Sequence, residues 1–389
     1  MNESATRSLD ARLVVLAAAR LVLNTALRFV YPYAPALARG VGVRREDVYY
    51  LITVRNMTGF LSPVFGPLSE RFGRRAVLAL GMMILAGGSL ILVIWPAYWA
   101  LGVALVATGI AKILYDPAMQ AYVGDEVPYN RRGRAIAITE YSWSLALLAG
   151  VPILGLVFQR QGWQAPFLWI GIGSLGAAIL IWTGINRSRP QQAATIAGTR
   201  IVALLRQERV VVFAVLYIML FVTANEMLFI VFGGWMEDVF QLSLTSLGIA
   251  AAVIGGAELA GETFAGWSVD RYGKRPIIIL FGAVTALCYL ALPFTSGSLT
   301  GALVTLFVLF LSFEITVVGG IPLMTELVPG ARAVVMSVIL AAMFAGRTLG
   351  SFLGPLVWNE FGFEVSGVIW SAIAAVAVVI LALRVHEGS

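Results

Sequence analysis

A ten-residue motif recurs, with its residue types in the same order, 200 positions apart. The first copy reads Gly66-Pro67-Leu68-Ser69-Glu70-Arg71-Phe72-Gly73-Arg74-Arg75 and the second Gly266-Trp267-Ser268-Val269-Asp270-Arg271-Tyr272-Gly273-Lys274-Arg275. Both carry an acid, Arg, an aromatic, Gly and two bases in one order, and both follow a long apolar stretch. Such a chain is built from a duplicated unit, so whatever one half folds into, the other folds into as well.

The apolar stretches say what that unit is. Runs of at least about 18 residues, long enough to cross a hydrocarbon core as helix, lie at roughly 13–37, 47–69, 76–95, 97–122, 134–158, 165–186, 210–235, 244–267, 276–295, 299–325, 333–357 and 365–385. At about 20 residues each, these twelve use most of the 389 residues and leave no loop long enough for a soluble domain. Only 12% of residues are charged, against about a quarter in soluble domains, and mean hydropathy is +0.88. The expected fold is an all-α integral membrane protein with twelve transmembrane helices. No small-residue cleavage site follows the first span, so no signal peptide is expected. Cys288 is the single cysteine and His386, in the tail, the single histidine. An internal disulfide, a His/Cys metal site and a histidine proton carrier are therefore all excluded, and no cofactor is expected.

Of the 27 Lys and Arg, 18 fall in segments that share one side with the termini. Four (Arg39, Arg44, Arg45, Arg160) fall in the opposite loops and five (Arg20, Arg28, Arg55, Lys112, Arg347) inside spans. The positive-inside rule then places both termini in the cytoplasm. The pI near 9.6 follows from this topology and needs no nucleic-acid partner.

The repeated loop resembles the signature between helices 2 and 3 of the major facilitator superfamily, and the resemblance covers nearly the whole chain. It implies two pseudo-symmetric six-helix bundles, residues 1–186 and 210–389, joined by a cytoplasmic linker at 187–209. In that linker Ile201, Leu204 and Leu205 alternate with Arg200, Arg206 and Arg209 at helical spacing, as in a short amphipathic surface helix. The resemblance also makes the loop residues gating elements that latch to neighbouring helix ends: Gly66, Glu70, Arg71, Gly73 and Arg74 in the first copy, Gly266, Asp270, Arg271, Gly273 and Lys274 in the second. Glu70 stands where the family usually has Asp.

Span 5 carries Ala146, Gly150, Val151, Pro152 and Gly155, similar to a degenerate form of the Gly-Pro motif that marks exporters of the drug:proton antiporter branch. The continuation to Gly162-Trp163 looks closest to sugar- and arabinose-efflux-like members. Small residues four apart allow close helix packing, and span 11 repeats the pattern at Gly346, Gly350, Gly354 and Pro355. The family's Arg on helix 4 is absent: Leu105 stands there, ahead of Gly109. The run Tyr31-Pro32-Tyr33-Ala34-Pro35 is expected to end span 1 at the outer face.

Charges inside spans cost several kcal/mol unless paired or water-lined. The family fold lines its cavity with helices 1, 4, 7 and 10. Arg28 and Glu226 are 198 residues apart, Lys112 and Glu314 202, so each base has an acid near its pseudo-symmetric position. The N-terminal half offers cations and the C-terminal half carboxylates. Arg28–Glu226 and Lys112–Glu314 are candidates for contacts across the cavity. The competing reading for Lys112 is a local pair with Asp116, four residues on, with Glu140 at similar depth. Arg347 is expected to meet Glu258 as a structural pair, with Glu262 one turn nearer the cytoplasm. Arg55, Asn24, Tyr31, Tyr115 and Tyr141 are candidates for substrate contact or the outer gate, with Phe29, Tyr33 and Trp143 as further cavity walls. Arg20 and Glu140 lie nearer the inner surface, where long side chains snorkel.

These features point to a monomeric, proton-coupled exporter of a small amphipathic molecule in a prokaryotic inner membrane, with Glu226 or Glu314 as proton carrier. A lipid, sugar or organic-anion transporter without proton coupling, its Arg28 and Arg55 receiving an anionic head, is the alternative. No nucleophile–base constellation suggests an enzyme.

Overall fold

In a computed structural model, residues 3–65, 68–186 and 205–385 are described. The expected linker helix, carried largely by residues 187–204, therefore falls mostly outside them, as do Gly66, Pro67 and His386. Every regular element among the described residues is helical. The chain forms two compact units. Unit 1 holds the described residues of Met1–Thr195 with Leu242–Ala252, and unit 2 those of Ile196–Gln241 and Val253–Ser389.

Unit 1 opens with α1 (Glu3–Arg28) and α2 (Val30–Val41), which meet at Phe29 with a 56° bend. The span thus breaks at the aromatic–proline run and continues beyond it. Pro32 and Pro35 lack the N–H groups that the carbonyls of Arg28 and Tyr31 would otherwise receive, so a straight helix is least favoured here. Second comes α3 (Arg45–Met57), which tightens into a 3-10 turn at Thr58–Leu61 and resumes as α4 (Ser62–Phe65). Beyond it lie α5 (Leu68–Phe72), α6 (Arg74–Ile94) and α7 (Tyr98–Glu126). The fifth span is α8 (Tyr129–Leu145), a π-helical turn at Ala146–Gly150, and α9 (Val151–Gln161); α10 (Ala165–Gly184) follows.

Unit 2 contains α11 (Arg209–Phe240), α12 (Leu244–Tyr272), α13 (Lys274–Thr295), α14 (Leu299–Glu326) and α15 (Arg332–Arg384). The first residues of α12, to Ala252, cluster with unit 1. At Gly362 (φ 75°) α15 leaves helical geometry, so it is two helices in series. Among the described residues nine helical stretches are long and apolar enough to cross a membrane, and the bent pair of α1 and α2 is a tenth. With α15 divided at Gly362 and the interrupted α3–α4 segment included, the twelve expected spans are all present as helix.

Gly73 and Gly273 open α6 and α13 with φ of 87° and 88°, a conformation that L side chains rarely adopt. This explains why both copies of the loop keep glycine there.

Candidate functional site

In unit 1, buried polar groups of α1, α7 and α8 close into a ring. Arg20 lies at its centre, 4% exposed. Its Nε donates to Asp116 Oδ1 at 3.0 Å, and its Nη1 reaches Glu140 Oε1 and Thr139 O, each at 2.9 Å. Lys112 Nζ meets the other Asp116 oxygen at 2.8 Å and Asn24 Oδ1 at 2.6 Å. Asn24 Nδ2 donates to Ser142 Oγ at 3.0 Å, and that hydroxyl donates to Thr139 O at 2.6 Å. Two bases and two acids compensate one another, as groups in a low-dielectric interior must. Arg20 is therefore not a snorkelling surface residue. The nearness of Asp116 and Glu140 makes burial the better solution.

Lys112 adopts the local pairing with Asp116. The expected cross-half pairs, Arg28 with Glu226 and Lys112 with Glu314, join residues of different units. Within unit 1, Arg28 is 2% exposed, donates to Trp143 O at 3.2 Å, and stacks 4.2 Å over the Trp143 ring. Lys112 Nζ lies 5.3 Å from the same ring. The clasp of Trp143 by two cations had only one signal in the sequence, an aromatic three residues after Glu140. Tyr115 is fully buried and donates to Leu16 O at 2.8 Å, which joins α7 to α1. Tyr141 is half-buried.

Arg55 is 1% exposed, and among the described residues no carboxylate lies within ion-pair distance of it. Its Nη1 donates to Leu27 O at 2.7 Å, its Nη2 to Tyr31 Oη at 2.7 Å and to Asn56 Oδ1 at 3.0 Å. The guanidinium sits 5.0 Å over the Tyr31 ring.

Unit 2 reverses the balance of charge. Glu226, Glu258 and Glu314 are 2, 2 and 7% exposed, and Glu262 is half-buried on α12. Arg347 Nη1 lies 3.8 Å from Glu226 Oε2, a loose ion pair with the base 27% exposed. Arg347 thus has Glu226 on α11 as a partner that the sequence reading did not name. The reason is the glycine seam: a Cβ at Gly350 would lie 2.6 Å from both Glu226 Cβ and Thr223 O. Only glycine lets α15 approach α11 this closely, and the approach carries Arg347 to Glu226. Gly261 plays the same part on α12, where an added Cβ would fall 2.9 Å from Glu314 Cβ.

The two loop motifs repeat their contacts as well as their letters. Arg74 Nε meets Asp125 at 3.2 Å, near the end of α7, and Lys274 pairs with Glu326, the last residue of α14. Arg75 Nη1 donates to Trp182 O at 3.1 Å in the last turn of α10, and Arg275 donates to Ala382 O in the last turn of α15. In each copy the first of the final two bases pairs with a carboxylate at one helix C-terminus and the second bonds a carbonyl in the last turn of another, where the dipole's negative end favours a cation. Arg71 stacks on Phe72 at 5.3 Å and Arg271 over Trp267 and Tyr272 at 5.7 Å each. Glu70 is half-buried and Asp270 exposed.

The Major Facilitator Superfamily model matches this chain over residues 16–313 and again over 214–388. An MFS-type transporter of Bacillus subtilis (strain 168), YwfA, is 26% identical over 90% of this chain and 86% of its own length. The class C tetracycline resistance protein of Escherichia coli is 28% identical over 69% of each chain. A crystal structure of a bacterial homologue of the human lysosomal transporter Spinster, inward-facing and occupied, superposes with a TM-score of 0.79 at 14% identity, covering 97% of this chain and 98% of the other. With twelve helical spans, a loop motif whose contacts repeat in both halves, and a family match along nearly its whole length, the chain belongs to the major facilitator superfamily of transporters.

Proposed function

We propose that this multi-pass membrane protein is a proton-coupled exporter of a small amphipathic molecule working by alternating access. One observation carries the reading: the two units hold opposite surpluses of intramembrane charge. Unit 1 neutralises Asp116 and Glu140 with Arg20 and Lys112 and still holds Arg28 and Arg55. Unit 2 gathers Glu226, Glu258, Glu262 and Glu314 with Arg347 as the base beside Glu226. A carboxylate inside a membrane needs a cation or a proton. Acids outnumber bases in the spans of unit 2, and a buried carboxylate can exchange a basic partner for a proton as the conformation changes; Glu226 and Glu314 are the leading carriers. Substrate and proton competing for these acids is the simplest antiport scheme. The tetracycline resistance relative is consistent with export. Monomeric operation in a prokaryotic inner membrane, with both termini in the cytoplasm, belongs to the same reading.

Proteoliposomes carrying a pH-sensitive dye test it, with cationic, neutral and anionic amphiphiles added in turn. Substrate-dependent proton flux lost in Glu226→Gln or Glu314→Gln would name the coupling acid. Saturable binding without any proton flux would sink the proposal. It would turn attention to uncoupled transport of an anion, with Arg28 and Arg55 as the first residues to test.

A further inference from the structure

Arg55 poses a physical problem that the transport reading leaves open. A guanidinium fixed within a membrane span costs several kcal/mol, and this one has no carboxylate to offset the cost among the described residues. Its hydrogen bonds show what it does. Leu27, whose carbonyl it caps, is in the last turn of α1, and Tyr31, whose hydroxyl it holds, is in the first turn of α2. One planar side chain thus bridges the 56° break from both sides. Gly109 of α7 leaves room for it: a Cβ there would fall 2.9 Å from Arg55 O and 3.2 Å from Arg55 Cγ.

The break has a counterpart directly against it. The π-turn at Ala146–Gly150 interrupts the fifth span, and π-turns concentrate at functional positions. A Cβ at Gly150 would lie 2.8 Å from Thr25 Cγ2. Arg28 donates to Trp143 O below the π-turn, and above it the one proton of Tyr33 Oη is shared between Val151 O at 3.4 Å and Leu244 O at 3.2 Å. The Tyr33 ring also lies 5.7 Å from that of Phe158. So α1 is tied to α8 below the irregular layer, α2 is tied to α9 above it, and the two backbone irregularities lie side by side between them. The equivalent places in unit 2 lack the device. There α11 runs unbroken through Phe229, Gly255 replaces Arg55, and 346–350 is regular helix.

We infer that Arg55 is a positioning residue: it pins a paired hinge, at Phe29 and at 146–150, and thereby sets the orientation of Arg28 and Tyr33 for transport. The inference rests on the chain being a transporter but not on proton coupling. Removing the side chain takes its hydrogen bonds from Leu27 O and Tyr31 Oη together. Arg55→Lys can satisfy one of them, because an ammonium lacks the planar fork.

Spin labels at Val14→Cys on α1 and Arg39→Cys on α2, in a Cys288→Ser background, report the bend. At 1.5 Å per residue the label sites stand about 33 Å apart with the observed bend and about 37 Å apart on a straight helix. Arg55→Met is expected to broaden this distribution toward the longer distance and to lower the maximal transport rate at least tenfold. Its melting temperature should be unchanged or higher, because a desolvated charge is gone. Arg55→Lys should fall between Arg55→Met and the parent in both distance and rate. An unchanged distance distribution in Arg55→Met would overturn the inference. So would a fall in melting temperature that accounts for all the lost transport. The distances are measured on the purified protein and need no substrate, so failure of the hinge is distinguishable from failure of the functional reading.

Discussion

The first and seventh spans occupy equivalent places in the duplicated fold and have become opposites. In unit 1 the span is broken at Phe29, carries Arg20, Asn24 and Arg28 on its inner face, and is tied to α8 and α9 by directed polar bonds. In unit 2 the span is one helix of 32 residues, carries Glu226, and is held to α15 by glycine contacts. The difference teaches that duplication preserved packing positions and let the means of packing diverge. Gly150 and Gly350 both sit at a close helix crossing, yet one faces a threonine side chain and the other faces backbone and Glu226 Cβ. A seam of polar bonds fixes geometry. A seam of bare backbone keeps two helices close, with Glu226 between them.

The sharpest way to break this comparison is to remove the central base of each unit. Arg20→Met should lower stability by up to about 3 kcal/mol, below the full cost of a stranded buried pair because Asp116 keeps Lys112 and Glu140 is partly exposed, seen as a fall in melting temperature in detergent. Arg347→Met should cost less, because its 3.8 Å contact with Glu226 is longer than the ion pairs of the Arg20 ring and the base is partly exposed. Equal losses would refute the distinction between a structural ring and a working pair.

Next in size is the contrast of glycines. Gly350→Val should destabilise by about 1–3 kcal/mol through overpacking, since the backbone atoms Thr223 O and Met227 N cannot yield. Gly150→Val should cost less, because Thr25 can change rotamer. Reversed order in thermal unfolding would show that the π-turn, and not α15, is the tighter crossing. Third, Pro32→Ala with Pro35→Ala restores two amide donors and should lengthen the Val14–Arg39 spin-label distance toward its straight-helix value while leaving α11 untouched. The smallest effect is expected at the loop clamps. Arg75→Gln and Arg275→Gln each remove a bond to a helix-end carbonyl worth about 0.5–1.5 kcal/mol. The two should match within error if the clamps are truly equivalent.

Much of this was legible in the letters. Twelve apolar runs, one loop repeated at 200 residues and glycines four apart give the helix count, the pseudo-symmetry and the close crossings, because each depends on local composition and spacing. The i, i+4 pair of Lys112 and Asp116 was legible for the same reason. Arg20 with Asp116 was not: they are 96 residues apart, and nothing in the spacing says which helix faces which. Arg347 with Glu226 was missed because the partner depends on how deeply α15 settles against α11, which the glycines permit but do not specify. Arg55 read as a candidate for substrate contact or the outer gate; its bonds to Leu27 O and Tyr31 Oη were not legible, because contacts to residues on another helix leave no mark in the spacing.

By itself, then, the sequence determined that this is a duplicated twelve-span membrane protein with an excess of in-span cations in one half and of carboxylates in the other. Hydrophobic length and residue type settle those features before any helix meets its neighbour. Only the tertiary structure decided which charges neutralise one another, where the first and fifth spans break, and what Arg55 holds. Those outcomes depend on distances of a few ångströms between residues far apart in the chain, and helix packing alone sets them.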